Sequence, residues 1–335
     1  MGVDIGVIGA GGWGIALAKL LADKGEQTTL WCHGAESYRE LAEQRTSSTY
    51  LPGIVLPAPV AVTRALDEAV AGKSLLLCVV PSHALREVMR QVVAQVAPQT
   101  AILCGAKGLE EESLKTMGEV LADIFGAEHA QQHAFLSGPT FALEVARGLP
   151  TAVTVAAASE EVASAVQQTF STPNFRVYTS KDVTGVQMGG VVKNVIAIAA
   201  GISDGLGLGQ NARAALITRG LAEMTRLAVR MGAEAATLAG LPGLGDLVLT
   251  CAGDLSRNRR VGLRIAQGKS LEEITAATRM VAEGVRNARS VYLLARRLGV
   301  EMPIVEQMHQ VLYQGKKPGD AVRDLMQRSL KPEIH

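Results

Sequence analysis

A lysine followed by an asparagine lies in the middle of a long apolar segment. Lys193 and Asn194 are surrounded by valine, isoleucine, alanine and glycine, and residues 186–200 are apolar almost all round a helix. Such a helix is normally buried, and a lysine is rarely buried unless it has a partner or a task. Because burial lowers the pKa of a lysine toward neutrality, we expect Lys193 to exchange a proton with a substrate. The alternative is a structural lysine whose ammonium reaches water at the edge of the helix.

Two polar loops could complete a site around this lysine. Residues 239–247 expose one carboxylate, that of Asp246, among glycines, and this acid could pair with Lys193 and orient it. Residues 256–260 bring three arginines together with a serine and an asparagine, and a helix is predicted to start there. The planar fork of an arginine side chain suits a phosphate dianion. The alternatives are an ordinary turn aspartate and a solvated basic face.

The elements that would position these groups begin with a glycine-rich turn. An apolar strand at 5–8 runs into glycines 9, 11 and 14 and then into a segment of helical spacing at 15–22. In this G-x-G-x-x-G pattern Gly9 permits the tight turn, Gly11 lets the backbone approach a diphosphate, and Gly14 lets the helix pack close to the strand. Free N–H groups at the start of the helix then favour a dinucleotide. The alternative is a structural glycine turn in another α/β protein.

The end of the second predicted strand, at 27–32, indicates which dinucleotide binds. NAD-specific folds usually place an acid about 20 residues past the glycines, where it bonds the ribose 2′-OH. Here positions 32–34 hold a cysteine, a histidine and a glycine, and the first carboxylate is Glu36. Without that acid a 2′-phosphate is not repelled, and His33, with Arg39 nearby, favours one. We therefore expect NADP(H) to be preferred and NAD(H) to be tolerated, although His33 by itself is slightly more typical of a surface loop than of a phosphate ligand.

Further strands alternate with helical segments through the first half of the chain. They are predicted at 74–80, 100–104, 134–136, 151–156 and 175–179. This alternation predicts an α/β fold with a Rossmann-type, doubly wound sheet whose ligands bind at the carboxyl ends of the strands. Lys107 and the loop 138–140 follow two of these strands, although Lys107 could also be a solvated loop lysine. After residue 182 only helical periodicity remains. We predict a dinucleotide-binding domain at 1–182 and an all-helical substrate and catalytic domain at 183–335.

The composition excludes several classes of partner. The 335 residues include 33 basic and 32 acidic side chains, so nothing indicates binding of nucleic acid or of an anionic membrane surface. The four cysteines lack metal-ligand spacing, so no metal site is predicted. The apolar stretch 183–202 is long enough to span a membrane, but a central lysine costs about 2.5–3.5 kcal/mol there. We expect no stable membrane insertion and a cytoplasmic location.

Taken together, these motifs resemble those of one family along essentially the whole chain. The chain resembles the bacterial-type NAD(P)-dependent glycerol-3-phosphate dehydrogenases. The matching segments are GAGGWG (9–14), AKG (106–108), SGPTFA (137–142), VKNV (192–195), DGLG (204–207), NARAALITRG (211–220), GLGDL (243–247), SRN (256–258) and VAEG (281–284). Each segment is modest support, whereas all of them in this order are highly specific.

The resemblance implies reversible reduction of dihydroxyacetone phosphate to sn-glycerol 3-phosphate, which feeds phospholipid synthesis, with Lys193 as the proton donor and acceptor. It implies that the phosphorylated substrate is held by Lys107, Gly138, Thr140, Asp246, Ser256, Arg257 and Asn258. It implies that the cofactor contacts Gly12, Trp13, His33, Lys107, Ala142, Arg257, Val281 and Glu283, in addition to Gly9, Gly11 and Gly14 of the glycine pattern. A homodimer through the helical domain is implied by resemblance alone.

The chain departs from the family pattern at two positions. Gly12 stands where a serine is frequent, and Leu143 stands where a polar residue often follows Phe-Ala. Gly12 would lose a side-chain contact to the diphosphate, which affects cofactor affinity rather than activity.

Two rival functions stay open at this point. One is a 3-hydroxyacid or 6-phosphogluconate type of dehydrogenase, which also has a Lys-Asn pair after the sheet; segments 243–247 and 256–258 argue against it. The other is a nucleotide-sensing module that binds NADPH and a partner protein, which would need no proton donor.

Overall fold

The structure is a computed structural model that describes residues 3–276, 282–330 and 332–333. Within these residues one sheet contains eight strands in the order β3-β2-β1-β4-β5-β6-β7-β8. Neighbouring strands are parallel except β6 and β7, which are antiparallel. The strands are β1 (Asp4–Ile8), β2 (Gln27–Trp31), β3 (Ala61–Thr63), β4 (Leu75–Cys78), β5 (Ala101–Cys104), β6 (His133–Ser137), β7 (Thr151–Ala157) and β8 (Phe175–Ser180).

Six helices accompany the sheet, and nine follow it within the described residues. The first six are α1 (Gly12–Lys24), α2 (Ala35–Arg39), α3 (Leu85–Arg90), α4 (Met117–Phe125), α5 (Ala142–Ala146) and α6 (Glu160–Phe170). The others are α7 (Val183–Gly205), α8 (Gly209–Arg230), α9 (Ala235–Ala239), α10 (Asp246–Ala252), α11 (Arg257–Ala266), α12 (Leu271–Ala276), α13 (Glu283–Leu298), α14 (Pro303–Tyr313) and α15 (Pro318–Met326).

Both faces of the sheet are covered, as the unbroken apolar strands require. Successive side chains of a strand point to opposite faces, so Leu75 and Leu77 of β4 pack in the cluster that includes α1 and α6. Leu76 and Cys78 pack on the other face in the cluster that includes α3 and α4. This arrangement is the doubly wound sheet expected from the sequence.

Helix α7 is the centre of the helical region. Residues 185–186 and 188–203 of this helix are buried, and α8, α10, α11, α13 and α14 pack around it. Gly262 of α11 lets the two backbones approach closely, because a Cβ there would lie 2.0 Å from the carbonyl oxygen of Ile198. This contact holds the middle of α11 against the second half of α7. Among the described residues α7 alone is long and apolar enough to cross a membrane, but 94% of its most apolar window is buried inside the protein.

The predicted fold class is confirmed: an α/β Rossmann-type sheet is followed by a helical region, and no described residue after Ser180 forms a strand. The five later strands lie where they were predicted, within two residues at each end. The short strand β3 was not predicted. The division into domains at 1–182 and 183–335 stays a prediction, although α7 begins at Val183.

Candidate active site

The ammonium group of Lys193 is buried between α7 and α10. Lys193 is 7% exposed. Its Nζ donates to Asp246 Oδ1 at 2.5 Å and to Thr250 Oγ1 at 3.0 Å. Asp246 and Thr250 are one helical turn apart and therefore lie on the same face of α10. The predicted pairing of Lys193 with Asp246 is present, and the ammonium does not reach water at a helix edge.

The environment of Asp246 differs from the one expected. The sequence indicated an exposed carboxylate in a glycine loop, but Asp246 is fully buried at the first position of α10. A π-helical turn at Leu241–Gly245 leads directly into α10 and packs against α7. The glycines therefore allow close packing of the turn rather than exposure of the acid. The start of a helix also favours a negative charge electrostatically.

A second lysine shares the same carboxylate. Lys107 follows β5, and its Nζ donates to Asp246 Oδ2 at 2.7 Å and to the carbonyl oxygen of Gly138 at 3.3 Å. Each carboxylate oxygen thus accepts from a different ammonium group. With both lysines protonated, the three side chains together carry one net positive charge. This charge favours binding of an anion or of a developing oxyanion.

The pKa of Lys193 lies in the range needed for proton transfer. Burial, together with the positive charge of Lys107, lowers the pKa of Lys193 to about 8, although Asp246 opposes both effects. An acid or base with a pKa near the working pH transfers protons most effectively. Lys193 can therefore exist in both protonation states near neutral pH.

A network of buried amides fixes the residues around the two lysines. Asn258 Nδ2 donates to Asn194 Oδ1 at 2.8 Å, and Asn258 Oδ1 accepts from the backbone N–H of Gly284 at 3.0 Å. Asn287 of α13 donates to the carbonyl oxygens of Lys107 and Val191, both at 3.2 Å. The amides therefore connect β5, α7, α11 and α13 around the site.

Three polar residues of this site were missed in the sequence. Thr250 could have been found from its spacing of four residues after Asp246 on a predicted helix. Asn287 carries no such signal. Ser137, at the end of β6, has a buried hydroxyl without a hydrogen-bond partner among the described residues. A Cβ placed on Gly190 would lie 3.1 Å from this hydroxyl and 3.2 Å from Lys107 Cδ, so Ser137 lies beside the Lys107 side chain.

The other predicted substrate residues lie at the ends of two elements. Ser256 caps α11, where its hydroxyl accepts from the backbone N–H of Arg259 at 3.2 Å. Arg257 is the first residue of α11 and is exposed, as a residue that meets a ligand from solvent would be. Gly138 and Thr140 follow β6, and Thr140 Oγ1 donates to the carbonyl oxygen of Gly138 at 3.2 Å. Contacts bring Lys107, Gly138, Asp246 and Lys193 together directly.

The glycine turn between β1 and α1 has the geometry that a dinucleotide needs. Gly9 has a φ of +121°, which L side chains rarely adopt. A Cβ on Gly14 would lie 1.8 Å from the carbonyl oxygen of Gly9, so this position requires glycine. At Gly11 a Cβ would meet no atom within 4 Å, and no side chain caps the start of α1. Open space beside uncapped N–H groups fits a diphosphate.

Residues near this turn also fit a cofactor. The indole N–H of Trp13 is buried and has no hydrogen-bond partner among the described residues. A Cβ on Gly12 would lie 3.8 Å from the Ala142 side chain and 3.1 Å from the carbonyl oxygen of Tyr50. The segment that contains Tyr50 thus packs tightly over Gly12. The glycine, where a serine is frequent in the family, accommodates this contact.

The remaining predicted cofactor residues are separated in the sequence. His33 is exposed just after β2, and its ring centroid is 5.7 Å from that of Trp31. Glu283, at the start of α13, accepts a hydrogen bond from the backbone N–H of Ser82 at 3.3 Å, and burial raises its pKa. Val281 lies outside the described residues. Glu283 therefore connects the helical region to the loop after β4.

A doubly wound sheet with an open glycine turn, followed by a helix that carries a buried, titratable lysine, defines a nicotinamide-dependent dehydrogenase. Comparison with known proteins identifies the family. The sequence model for the N-terminus of NAD-dependent glycerol-3-phosphate dehydrogenases matches residues 4–163, and the model for the C-terminus matches residues 182–323. The chain belongs to the NAD-dependent glycerol-3-phosphate dehydrogenase family.

Individual relatives agree with this assignment. The glycerol-3-phosphate dehydrogenase (NAD(P)+) of Citrifermentans bemidjiense is 56% identical over 99% of each chain. The corresponding protein of Geobacter sulfurreducens is 54% identical over 99% of each chain. The crystal structure of glycerol-3-phosphate dehydrogenase from Coxiella burnetii has a TM-score of 0.93 at 40% identity, covering 98% of this chain and 99% of that one. The predicted family, oxidoreductase class and NAD(P) dependence are confirmed.

Proposed function

We propose that this chain interconverts dihydroxyacetone phosphate and sn-glycerol 3-phosphate with NAD(P)H, and that Lys193 is the proton donor and acceptor. The full-length relatives that carry this name support the substrate and the reaction. The observation that carries the role of Lys193 is its buried ammonium, held 2.5 Å from Asp246 with a pKa of about 8. A lysine placed in this way is expensive to bury and is best explained by proton transfer.

The chain's own groups would act on the oxygen of the substrate carbonyl. When bound, the nicotinamide supplies the hydride that the carbonyl carbon C2 receives. The ammonium of Lys193 gives one proton to the carbonyl oxygen as the C=O double bond becomes a C–O single bond, and the N–H electron pair remains on the amine. In the reverse direction the neutral amine takes the hydroxyl proton. The positive charge of Lys107 stabilises the oxyanion as it forms, which lowers the barrier more than it strengthens substrate binding.

The substrate phosphate would be bound by the start of α11. Arg257, at the first position of this helix, can donate two parallel hydrogen bonds to a phosphate, and Ser256 and Asn258 lie on either side of it. Lys107, Gly138 and Thr140 would hold the rest of the substrate from the sheet. Binding of the non-reacting phosphate would position the ketone for reaction.

The cofactor would lie across the carboxyl ends of the strands. Its diphosphate would lie on the start of α1, against Gly9, Gly11, Gly12 and Gly14. Trp13, His33, Lys107, Ala142, Arg257, Val281 and Glu283 would complete its contacts. We further propose a preference for NADP(H), a homodimer formed through the helical domain 183–335, a cytoplasmic location and a role in supplying phospholipid synthesis.

Initial rates with dihydroxyacetone phosphate and each reduced cofactor test this function. We expect oxidation of NADPH and, more slowly, of NADH, followed at the nicotinamide absorbance band. A 3-hydroxyacid and 6-phosphogluconate, assayed with the oxidised cofactors, serve as controls for the rival dehydrogenases. Turnover of either control but not of the glycerol phosphate pair would overturn the substrate assignment. Binding of NADPH without turnover of any hydroxy-phosphate would instead favour a nucleotide sensor.

A further inference from the structure

The carboxyl ends of β2 and β3 meet at one corner of the sheet. Trp31 and Thr63 are paired in register, and the backbone N–H of Cys32 donates to the carbonyl oxygen of Thr63 at 2.9 Å. Arg64 follows β3 directly, and its carbonyl oxygen accepts a hydrogen bond from the Trp31 indole at 3.1 Å. Arg64 is therefore held alongside the residues that follow β2, which include His33.

The guanidinium group of Arg64 is available at this corner. Arg64 is exposed, and within residues 3–276, 282–330 and 332–333 its guanidinium forms no ion pair or hydrogen bond. It is close enough to Cys32 for its charge to lower the pKa of that thiol, which burial raises. Glu68, four residues further on, accepts a hydrogen bond from the Thr63 hydroxyl at 2.6 Å. The backbone of Arg64 is therefore anchored by the Trp31 indole, while its guanidinium group is exposed and unpaired among the described residues.

In Rossmann-type folds the end of β2 lies beside the adenosine ribose, and an arginine nearby accommodates a 2′-phosphate. No acid occupies positions 32–35 here, and Glu36 in the first turn of α2 is the first carboxylate. We propose that Arg64 binds the 2′-phosphate of NADP(H) and is the main residue that selects it over NAD(H), with His33 as a second contact. This proposal rests on the cofactor placement proposed above. It adds a specificity residue that the glycine motif and β2 alone did not indicate.

Binding measurements with Arg64→Gln test the proposal without using turnover. This variant keeps most of the side-chain length and removes the charge, and the anchoring carbonyl oxygen is unaffected. The dissociation constants for NADPH and NADH are measured by isothermal titration calorimetry. We expect the NADPH constant to rise about tenfold or more while the NADH constant stays the same, because one charge-assisted phosphate contact is lost. Arg90→Gln is the matched control, since Arg90 is an exposed arginine at the end of α3.

Adenosine 2′,5′-bisphosphate and adenosine 5′-monophosphate provide a second comparison, because they differ only in the 2′-phosphate. Arg64→Gln is expected to remove the advantage of the bisphosphate, and Arg90→Gln is expected to retain it. If Arg64→Gln binds both cofactors as tightly as the native protein does, the assignment of Arg64 is overturned, but the cofactor site is not. An equal loss of affinity for both cofactors would also overturn it, because that result indicates a structural role. Failure of the native protein to bind either cofactor would overturn the cofactor site itself.

Discussion

In the described part of the helical region, the carboxylates of Asp246 and Glu223 are both buried, and they have different hydrogen-bond partners. Asp246 is fully buried, and its two oxygens accept from the ammonium groups of Lys193 and Lys107 at 2.5 and 2.7 Å. Glu223 of α8 is 2% exposed, and its two oxygens accept from the backbone N–H groups of Ile304 and Val305 at 2.7 and 3.2 Å. One acid accepts from charged side chains, and the other accepts from backbone N–H groups.

This difference determines what each acid can do. Lys193, one partner of Asp246, can gain or lose a proton, and the negative charge of Asp246 favours its protonated form. The partners of Glu223 cannot, and that carboxylate instead satisfies the start of α14, where the N-cap residue Met302 supplies no side-chain hydrogen bond. Burial raises the pKa of Glu223 to about 7 in spite of these two bonds. We therefore expect changes at Asp246 to alter catalysis and changes at Glu223 to alter stability.

The largest effect is expected for Lys193→Met, which removes the proposed proton donor. The kcat for ketone reduction is expected to fall about 10²–10⁴-fold, the usual contribution of a general acid. Cofactor binding, measured by calorimetry, is expected to remain. Lys73→Met is the matched control, because Lys73 also pairs with an aspartate, Asp4, at 2.7 Å. Lys73 precedes β4 and therefore lies away from the carboxyl ends of the strands, where the ligands are expected. A Lys193→Met variant with more than about a tenth of the native kcat would remove Lys193 from its proposed role.

A smaller loss of activity is expected for Asp246→Asn, and it should come with a loss of stability. Removing one partner of a buried ion pair costs about 3–5 kcal/mol of unfolding free energy, measured by denaturant titration. Without the carboxylate, the pKa of Lys193 is expected to fall further, so the reduction rate is lost at a lower pH than in the native protein. A variant whose pH profile matches the native one would show that Asp246 does not set the protonation of Lys193.

The smallest effect on activity is expected for Glu223→Gln, the same chemical change at the other buried acid. The pKa of Glu223 in the folded protein, about 7, lies above its ordinary value of 4.5. Its contribution to stability is therefore complete below about pH 4.5 and is lost as the pH rises through 7, by about 3 kcal/mol. Glu223→Gln is expected to remove this pH dependence and to leave kcat unchanged. A fall in its kcat comparable to that of Asp246→Asn would invalidate the contrast between the two acids.

The sequence predicted those features that depend on local patterns. The glycine turn, the apolar strands and the buried helix around Lys193 each have a periodicity or spacing that neighbouring residues determine. The start of a helix near residues 256–260 was predicted for the same reason, and α11 begins at Arg257. These features were sufficient to indicate the fold class and the position of the buried lysine that we propose as the proton donor.

Of the features that depend on contacts between distant segments, the pairing of Lys193 with Asp246 was suggested by the sequence, but the surroundings of this pair were not. Asp246 is separated by 53 residues from Lys193 and by 139 from Lys107, so its burial between them follows from packing alone. The strand β3 has three residues, too few to show alternation. Arg64 gains its significance only because β3 pairs with β2. Its role therefore depends on sheet order, which no local signal specifies.

The pH dependence of the chemical step in both directions tests the role of Lys193 most directly. Single-turnover rates of ketone reduction and alcohol oxidation would be measured from pH 6 to pH 10, so that product release does not hide the chemical step. With a pKa of about 8 for Lys193, reduction should be constant at low pH and fall above about pH 8, because the ammonium is then lost. Oxidation should rise up to about pH 8 and then level off, because the neutral amine accepts the proton. Rates that are flat, or that change in the same direction for both reactions, would contradict proton transfer by Lys193.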